Sequence, residues 1–181
     1  MGKICKECGR PNPYPRQGHC SFECLKLIQE KKAQKAAEKK LANQVASMQR
    51  KKLKDKAWSL FSRYIRIKYA DSAGQCTCVT CGVVKHWKEM QAGHAVSGRG
   101  GFVLFNEAIV RPQCYGCNMA AGGRYDRFSR HLISKEKSLT WEQYDHIVEE
   151  SEKTHKLRNS DFEDVIAKCT AWLSERGHST K

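Results

Sequence analysis

The sequence predicts a small α+β fold stapled by zinc, and three observations carry that expectation. Eight of the ten cysteines fall in four tight pairs, Cys5/Cys8, Cys20/Cys24, Cys78/Cys81 and Cys114/Cys117. Between His19 and Ala73 there is neither glycine nor proline, so one long helix can run uninterrupted. Short β-branched and aromatic segments punctuated by glycine, "CTCVTCGVV" and "GGFVLFNEAIV", fall within the cysteine-rich stretch 74–123 and read as strands. A chain of 181 residues suits one modest core with appendages, or two small units.

Residues 1–24 form the first element. Cys5-x2-Cys8 and Cys20-x3-Cys24 enclose eleven residues that include Pro11, Pro13, Pro15 and Gly18. That interval is loop and turn, and four thiolates closing it make a structural zinc site without which so short a piece would not fold. His19 could compete as a ligand, but Cys20 stands directly beside it. Residues 25–73 form a long basic helical arm. Lys, Ala, Glu, Gln and Leu dominate its first part, and ~40 helical residues would extend ~60 Å. Apolar periodicity appears only late, where Ala57, Leu60, Phe61, Tyr64 and Ile65 follow i, i+3, i+4 steps. The arm is thus expected to start exposed and end packed.

Residues 74–137 are the cysteine-rich core, and residues 138–181 a C-terminal helical region. There Thr140 with Gln143, and Ser160 with Glu163, have capping-box spacing. The second helix carries Phe162, Val165, Ile166, Cys169, Trp172 and Leu173 as an apolar face, up to a stop at Gly177.

Composition narrows the function classes. No run of 18 apolar residues occurs, so no membrane span is expected. The opening Met-Gly-Lys-Ile-Cys-Lys has no apolar h-region, and Lys6 stands where a myristoylation signal needs Ser or Thr. A reducing cytoplasm is the expected compartment, where paired cysteines read as zinc ligands rather than disulfides. Cys76 and Cys169 remain as ordinary thiols. Of the formal net charge of +14, most sits in residues 1–70, with 18 Lys/Arg against 5 Asp/Glu, whereas residues 71–181 hold 15 against 14. A concentrated basic arm points to nucleic acid held through phosphates, with Lys51, Lys52, Lys54 and Lys56 as candidate DNA contacts. The bland alternative is a solvated helix that keeps the chain soluble.

Cys78-x2-Cys81 and Cys114-x2-Cys117, separated by 32 residues, can close a four-cysteine zinc site with no open position for water. Any catalysis must then come from residues this zinc positions. His94 follows Gly93 between the pairs, and Asn118 follows the last cysteine. In the ββα-metal (HNH) nuclease arrangement a strand histidine and a helix Asn or His meet over one divalent ion. The imidazole, which titrates near neutrality, takes a proton from water. The ion, Mg²⁺ or Mn²⁺, polarises the phosphate, and Asn118 serves as a neutral oxygen ligand. Taken singly, a loop histidine is more often a surface residue and an Asn after CxxC a turn residue; their joint placement favours the nuclease reading. His86, His131, His146, His155 and His178 lack such a setting and read as structural.

On "CKECG", "CSFEC", the Lys/Ala-rich helix, "CVTCG", "QAGH", "FNE", "QCYGCN" and "LIS", in that order, the chain resembles the lambdoid phage NinG family, also called Rap. The resemblance implies a recombination endonuclease that cuts Holliday-type junctions or D-loops, with zinc for structure and a divalent ion for chemistry. If phage-encoded, it would work in the cytoplasm of a bacterial host. More distantly the chain is similar to junction resolvases of the endonuclease VII type. Two positions depart from the HNH pattern. Ile109 stands where the middle Asn is usual, and Gly93 where many such sites carry an acid. Asn106 is the candidate for the loop-fixing hydrogen bond, and Glu107 for the missing Mg²⁺ carboxylate, with Asp126 behind it. Arg99 and Arg111 are candidates to hold the scissile strand. A nuclease without branch preference and a non-catalytic zinc-ribbon DNA-binding or recruitment protein stay in competition. The two-fold symmetry of a junction suits a homodimer, and phage recombination proteins are possible partners.

Overall fold

Helix α1 (Phe22–Lys68, 47 residues) fills the glycine- and proline-free segment almost from end to end. The computed structural model that shows it describes residues 4–14, 16–98 and 100–179. Arg99, one of the two arginines expected at the scissile strand, lies outside the described residues, as do residues 1–3 at the chain's start. The chain divides into two compact units, residues 1–51 and 52–181.

In the first unit the backbone turns tightly on itself before α1. Ile4 pairs with Pro11 in an isolated antiparallel bridge, Cys5 N–H donates to Arg10 O at 2.8 Å, and Gly9 N–H to Cys5 O at 3.0 Å. Gly9 and Gly18 take φ near +70°, a conformation that costs any residue with a Cβ. Ser21 Oγ accepts from Cys24 N–H at 3.3 Å, so the fourth cysteine of this unit lies in the first turn of α1, inside the helix rather than before it. Leu25 and Ile28 are half-buried, and from residue 29 onward α1 in this unit is exposed, as its polar sequence requires.

The second unit is organised by the late apolar stripe of α1. Ala57, Leu60, Phe61, Tyr64 and Ile65 are all buried, so the helix does end packed. Four short strands follow. Strands β1 (Gln75–Thr77) and β2 (Val84–His86) pair antiparallel around the turn that holds Cys78 and Cys81. Strands β3 (Met90–His94) and β4 (Val110–Cys114) pair antiparallel, in a register that sets Met90 opposite Cys114 and His94 opposite Val110. Between them the chain departs from expectation. Residues 101–104, read as strand from their β-branched and aromatic content, form a short helix α2 (Gly101–Leu104), and Glu107–Ile109 form a 3₁₀ turn. A short apolar run is ambiguous between strand and buried helix, and here packing decides. Val103 and Leu104 are buried, and Gly101 passes so close to the His155 carbonyl that a Cβ would overlap it.

After β4 come a π-helical turn (Gly116–Ala120), α3 (Tyr125–Arg130), a second π turn (His131–Lys135), α4 (Trp141–Glu152) and α5 (Asn159–Ser174). Thr140 and Gln143 form the expected capping box of α4. The expected Ser160–Glu163 box does not form. Helix α5 begins earlier, and the Asp161 carboxylate reaches back to Arg158 N–H at 2.6 Å. A carboxylate at the third helical position satisfies an orphan donor whichever residue precedes it.

The core joins α1 to α5, β4 and α3. Phe61 meets Phe105 edge-on at 5.4 Å, Tyr64 meets Trp172 at 4.9 Å, and Phe128, Leu132, Cys169 and Leu173 close the centre. Phe61 is 2% exposed. Phe61→Ala is therefore expected to cost about 3–5 kcal/mol, read as a lowered denaturation midpoint in chemical unfolding.

Candidate functional site

Two cysteine tetrads stand out, Cys5/Cys8/Cys20/Cys24 in the first unit and Cys78/Cys81/Cys114/Cys117 in the second, each with its sulfurs all within 4.8 Å of one another. A zinc ion with Zn–S bonds of about 2.3 Å requires sulfurs about 3.8 Å apart at the corners of its tetrahedron. The Cys8–Cys20, Cys20–Cys24 and Cys81–Cys114 separations are 3.4, 3.6 and 3.8 Å. Both donor sets fit, so both could hold zinc. Their electrostatics agree. Burial opposes ionisation of Cys78, but backbone N–H groups of Cys114, Cys81 and Thr80 bring its thiol down to about 7. Burial and the neighbouring Cys81 and Cys114 push Cys117 up to about 12. Thiolates packed this closely repel, and a dication at their centre removes the conflict.

The second tetrad fixes the geometry around His94 and Asn118. It ties the Cys78–Cys81 turn to the end of β4, and Cys78 Sγ accepts from Cys114 N–H at 3.4 Å. Asn118 follows Cys117 within the π turn. Its Nδ2 donates to Gln91 Oε1 at 2.6 Å, which orients the carboxamide and leaves its oxygen outside that bond. His94 ends β3, the strand that β4 holds in register. Its Nε2 lies 3.2 Å from Leu104 O. A carbonyl only accepts, so Nε2 carries the hydrogen and Nδ1 is the basic nitrogen of the neutral ring. The ring stacks on Trp58 of α1, with centroids 5.3 Å apart and planes inclined by 16°. His94 and Asn118 both line one cleft of about 350 Å³, together with Ala92, Val96, Met119 and Tyr125.

The two departures from the HNH pattern have visible causes. Gly93 faces Gln113 across the β3–β4 pair, and a Cβ on it would overlap Gln113 Oε1. Gln113 is fully buried, and its Nε2 donates to Thr80 Oγ1 at 2.7 Å and Gly123 O at 2.6 Å. No side chain fits at position 93 while that bridge stands. Ile109 is buried in the core, and Asn106 Oδ1 accepts from Ala108 N–H at 3.1 Å, a loop-fixing bond three residues earlier.

Other expected site residues lie elsewhere. Glu107 is not in the cleft. Its carboxylate takes Tyr64 OH at 2.8 Å, Lys68 at 3.0 Å and also Lys168. Burial alone would raise its pKa, but Lys168, Lys68 and Tyr64 hold it at about 2. A carboxylate so engaged is an internal clamp between α1 and α5, which corrects its expected part in the Mg²⁺ shell. Asp126 is exposed on α3, outside the residues lining the cleft. Arg111 is a second correction. At 4% exposure it donates to Glu136 at 2.9 Å, to Glu107 O and Val110 O at 2.9 and 2.8 Å, and to Ser138 at 3.3 Å. Its guanidinium also lies over the Tyr69 ring. A charge this deep is retained only by its internal partners, and those partners take up its donors.

Lys51, Lys52, Lys54 and Lys56 are exposed on α1. Cys76 is buried with its thiol donating to Arg66 O at 3.0 Å, and burial pushes Cys169 up to about 11; both suit ordinary thiols. Of the remaining histidines, His86 caps a 3₁₀ turn, and His131 and His155 sit beside Glu136 and Glu150. Sequence reasoning missed Trp58, Gln91 and Gln113, which position the site. Gln91 and Gln113 lie within the quoted "QAGH" and "QCYGCN", but neither their residue type nor that of Trp58 announces a role, and only strand register and helix packing bring them to it.

Among known proteins, the family model described as Bacteriophage Lambda NinG protein matches residues 2–176. No curated protein matches the chain, and no solved structure does.

Two measurements follow from this geometry. Elemental analysis is expected to find two metal ions per chain, and Cys114→Ser to lose one while keeping the other. Glu107 has a folded pKa near 2 against an ordinary value of 4.5. Its stabilisation is therefore full above about pH 4.5 and is lost as pH falls towards 2. Glu107→Gln is expected to lower the melting temperature at pH 7 and to shrink the loss of stability between pH 5 and pH 2.

Proposed function

Because the chain belongs to the bacteriophage lambda NinG family, we propose that it is a divalent-metal-dependent DNA endonuclease acting on branched recombination intermediates such as Holliday junctions and D-loops. In this reading both cysteine tetrads hold structural zinc, and the second supports an HNH-like ββα-metal core. The observation that carries the proposal is the convergence of His94 and Asn118 on one cleft beside the second tetrad. The family resemblance argues for branched substrates.

In this reading Asn118 would hold a hard cation that keeps much of its water. Asn118 offers a neutral oxygen, no carboxylate lines the cleft among the described residues, and the substrate's phosphate supplies the anionic oxygens. When bound, Mg²⁺ or Mn²⁺ would polarise the scissile phosphate and stabilise charge on the leaving oxygen. His94 acts as general base, its Nδ1 receiving the proton of the attacking water. The Leu104 carbonyl keeps the Nε2 hydrogen in place and stabilises the imidazolium that results. Trp58 restrains the ring's tilt, and Gln91 holds Asn118. Lys51, Lys52, Lys54 and Lys56 contact backbone phosphates without regard to sequence.

A homodimer matches the approximate two-fold symmetry of a four-way junction. Exposed Leu41, Val45 and Met48 on α1, at i, i+4 and i+7, offer a short apolar seam for it. The setting would be the host cytoplasm, beside other phage recombination proteins. No helix among the described residues is long and apolar enough to cross a membrane.

The absence of a lining carboxylate favours a second reading, a passive zinc-ribbon DNA-binding protein. One gel separates them, with branched and linear DNA, each with and without Mg²⁺. Wild type is expected to cut the branched substrate in preference and only with metal. His94→Ala is expected to lose roughly 10²- to 10⁴-fold in rate while keeping DNA affinity and zinc content. Equal cutting of linear duplex would point to a nuclease without branch preference. Binding without cutting under any divalent ion would establish the passive reading.

A further inference from the structure

The near balance of charge in residues 71–181 is not local. Residues 124–137 carry five basic side chains against Asp126 and Glu136, whereas residues 138–181 carry nine acidic against six basic. Glu136 is drawn to Arg111 at 2.9 Å and lies 3.5 Å from His131, so among the described residues Asp126 is the one acid of the stretch in no ion pair. Arg127, Arg130 and Lys135 are exposed, and among the described residues no ion pair engages them. Arg127 and Arg130 stand one helical step of three apart, which puts their Cβ atoms about 5–6 Å from each other on one face.

These cations are gathered into a built feature. Arg127, Arg130, His131 and Lys135 line a cleft of about 320 Å³ whose other wall is Val79 and Thr80, the middle of the Cys78–Cys81 turn. Tyr125, two residues before Arg127, lines the His94–Asn118 cleft. The start of α3 therefore contributes to both clefts. Gln113 bridges the same parts, joining Thr80 to Gly123 just ahead of α3. Guanidinium groups held together without counter-charges repel, and a chain of phosphates relieves that repulsion by bidentate contacts.

We propose that the Arg127–Arg130–Lys135 cleft is a phosphate track that grips the DNA strand flanking the one in the His94–Asn118 cleft, with α3 between the two contacts. It is distinct from the lysines of α1. It rests on the nuclease reading only for what occupies the neighbouring cleft.

The test is a salt series of binding by the zinc-loaded full-length chain to a labelled synthetic four-way DNA junction, without Mg²⁺ so that the probe stays intact. Losing three phosphate contacts makes log K against log salt shallower by about 2.7, at about 0.9 per contact. Arg127→Gln/Arg130→Gln/Lys135→Gln is expected to show that change, with affinity down roughly tenfold or more at low salt. Arg127→Lys/Arg130→Lys keeps the charges and is expected to keep the slope. An unchanged slope in the glutamine variant overturns the track, as does a lysine variant as weak as the glutamine one. The two readings fail separately. If wild type cuts junctions but the glutamine variant keeps its slope, the track falls and the nuclease stands. If the glutamine variant flattens the slope but wild type never cuts with Mg²⁺, the nuclease falls and the track stands.

Discussion

Four sulfurs converging from two turns hold the second unit's site together. Cys78 and Cys81 come from the β1–β2 connection, Cys114 and Cys117 from the end of β4, across 32 intervening residues. The β-sheets are small. Each has two strands of three to five residues, too few to be stable alone. The thiolate cluster and the apolar face of α1 supply what the sheets cannot. With that cluster closed, β4 is anchored at its end, β3 follows in register, and His94 and Asn118 come to one cleft. Without it, neither side chain has a reason to be where it is.

Space is the second constraint, and it is felt at single residues. Gln113 fills the volume where a side chain on position 93 would go, and spends its amide on Thr80 and Gly123. The strand before His94 must therefore carry glycine, and an acid there is excluded by packing rather than by chemistry. Ile109 belongs to the core, and the polar task of that loop passes to Asn106, where the chain has room for an Asx-type turn.

Charge in this protein does two different jobs. At the edge of the core the half-buried Glu107 gathers Tyr64, Lys68 and Lys168, and inside it Arg111 gathers Glu136 and backbone carbonyls; these groups are paired where they stand and fasten α1, β4 and α5. Outside, Lys51, Lys52, Lys54 and Lys56 of α1 and the arginines of α3 keep their charge for solvent or a polyanion. The same residue types serve both ends, and the partners that packing brings to each decide which.

Much of this was legible from the residues in order. Cysteine spacing announced both tetrads, because two thiols three or four residues apart can reach one ion whatever surrounds them. The i, i+3, i+4 stripe at Ala57–Ile65 announced where α1 packs, and the Thr140–Gln143 box where α4 begins, because both depend on local geometry. What lay in contacts between distant segments was not legible. Arg111 reads as loop charge until β4 buries it, and Glu107 as a metal ligand until Lys68 and Lys168, from opposite sides in sequence, close on it. The run 101–104 reads as strand until Val103 and Leu104 find a core to enter. Trp58 became part of the site only when α1 lay against β3. Local chemistry sets what each segment can form; which side chains are desolvated, and by whom they are then satisfied, is settled only when the segments pack, since burial changes the energy of a charge far more than its neighbours in sequence do.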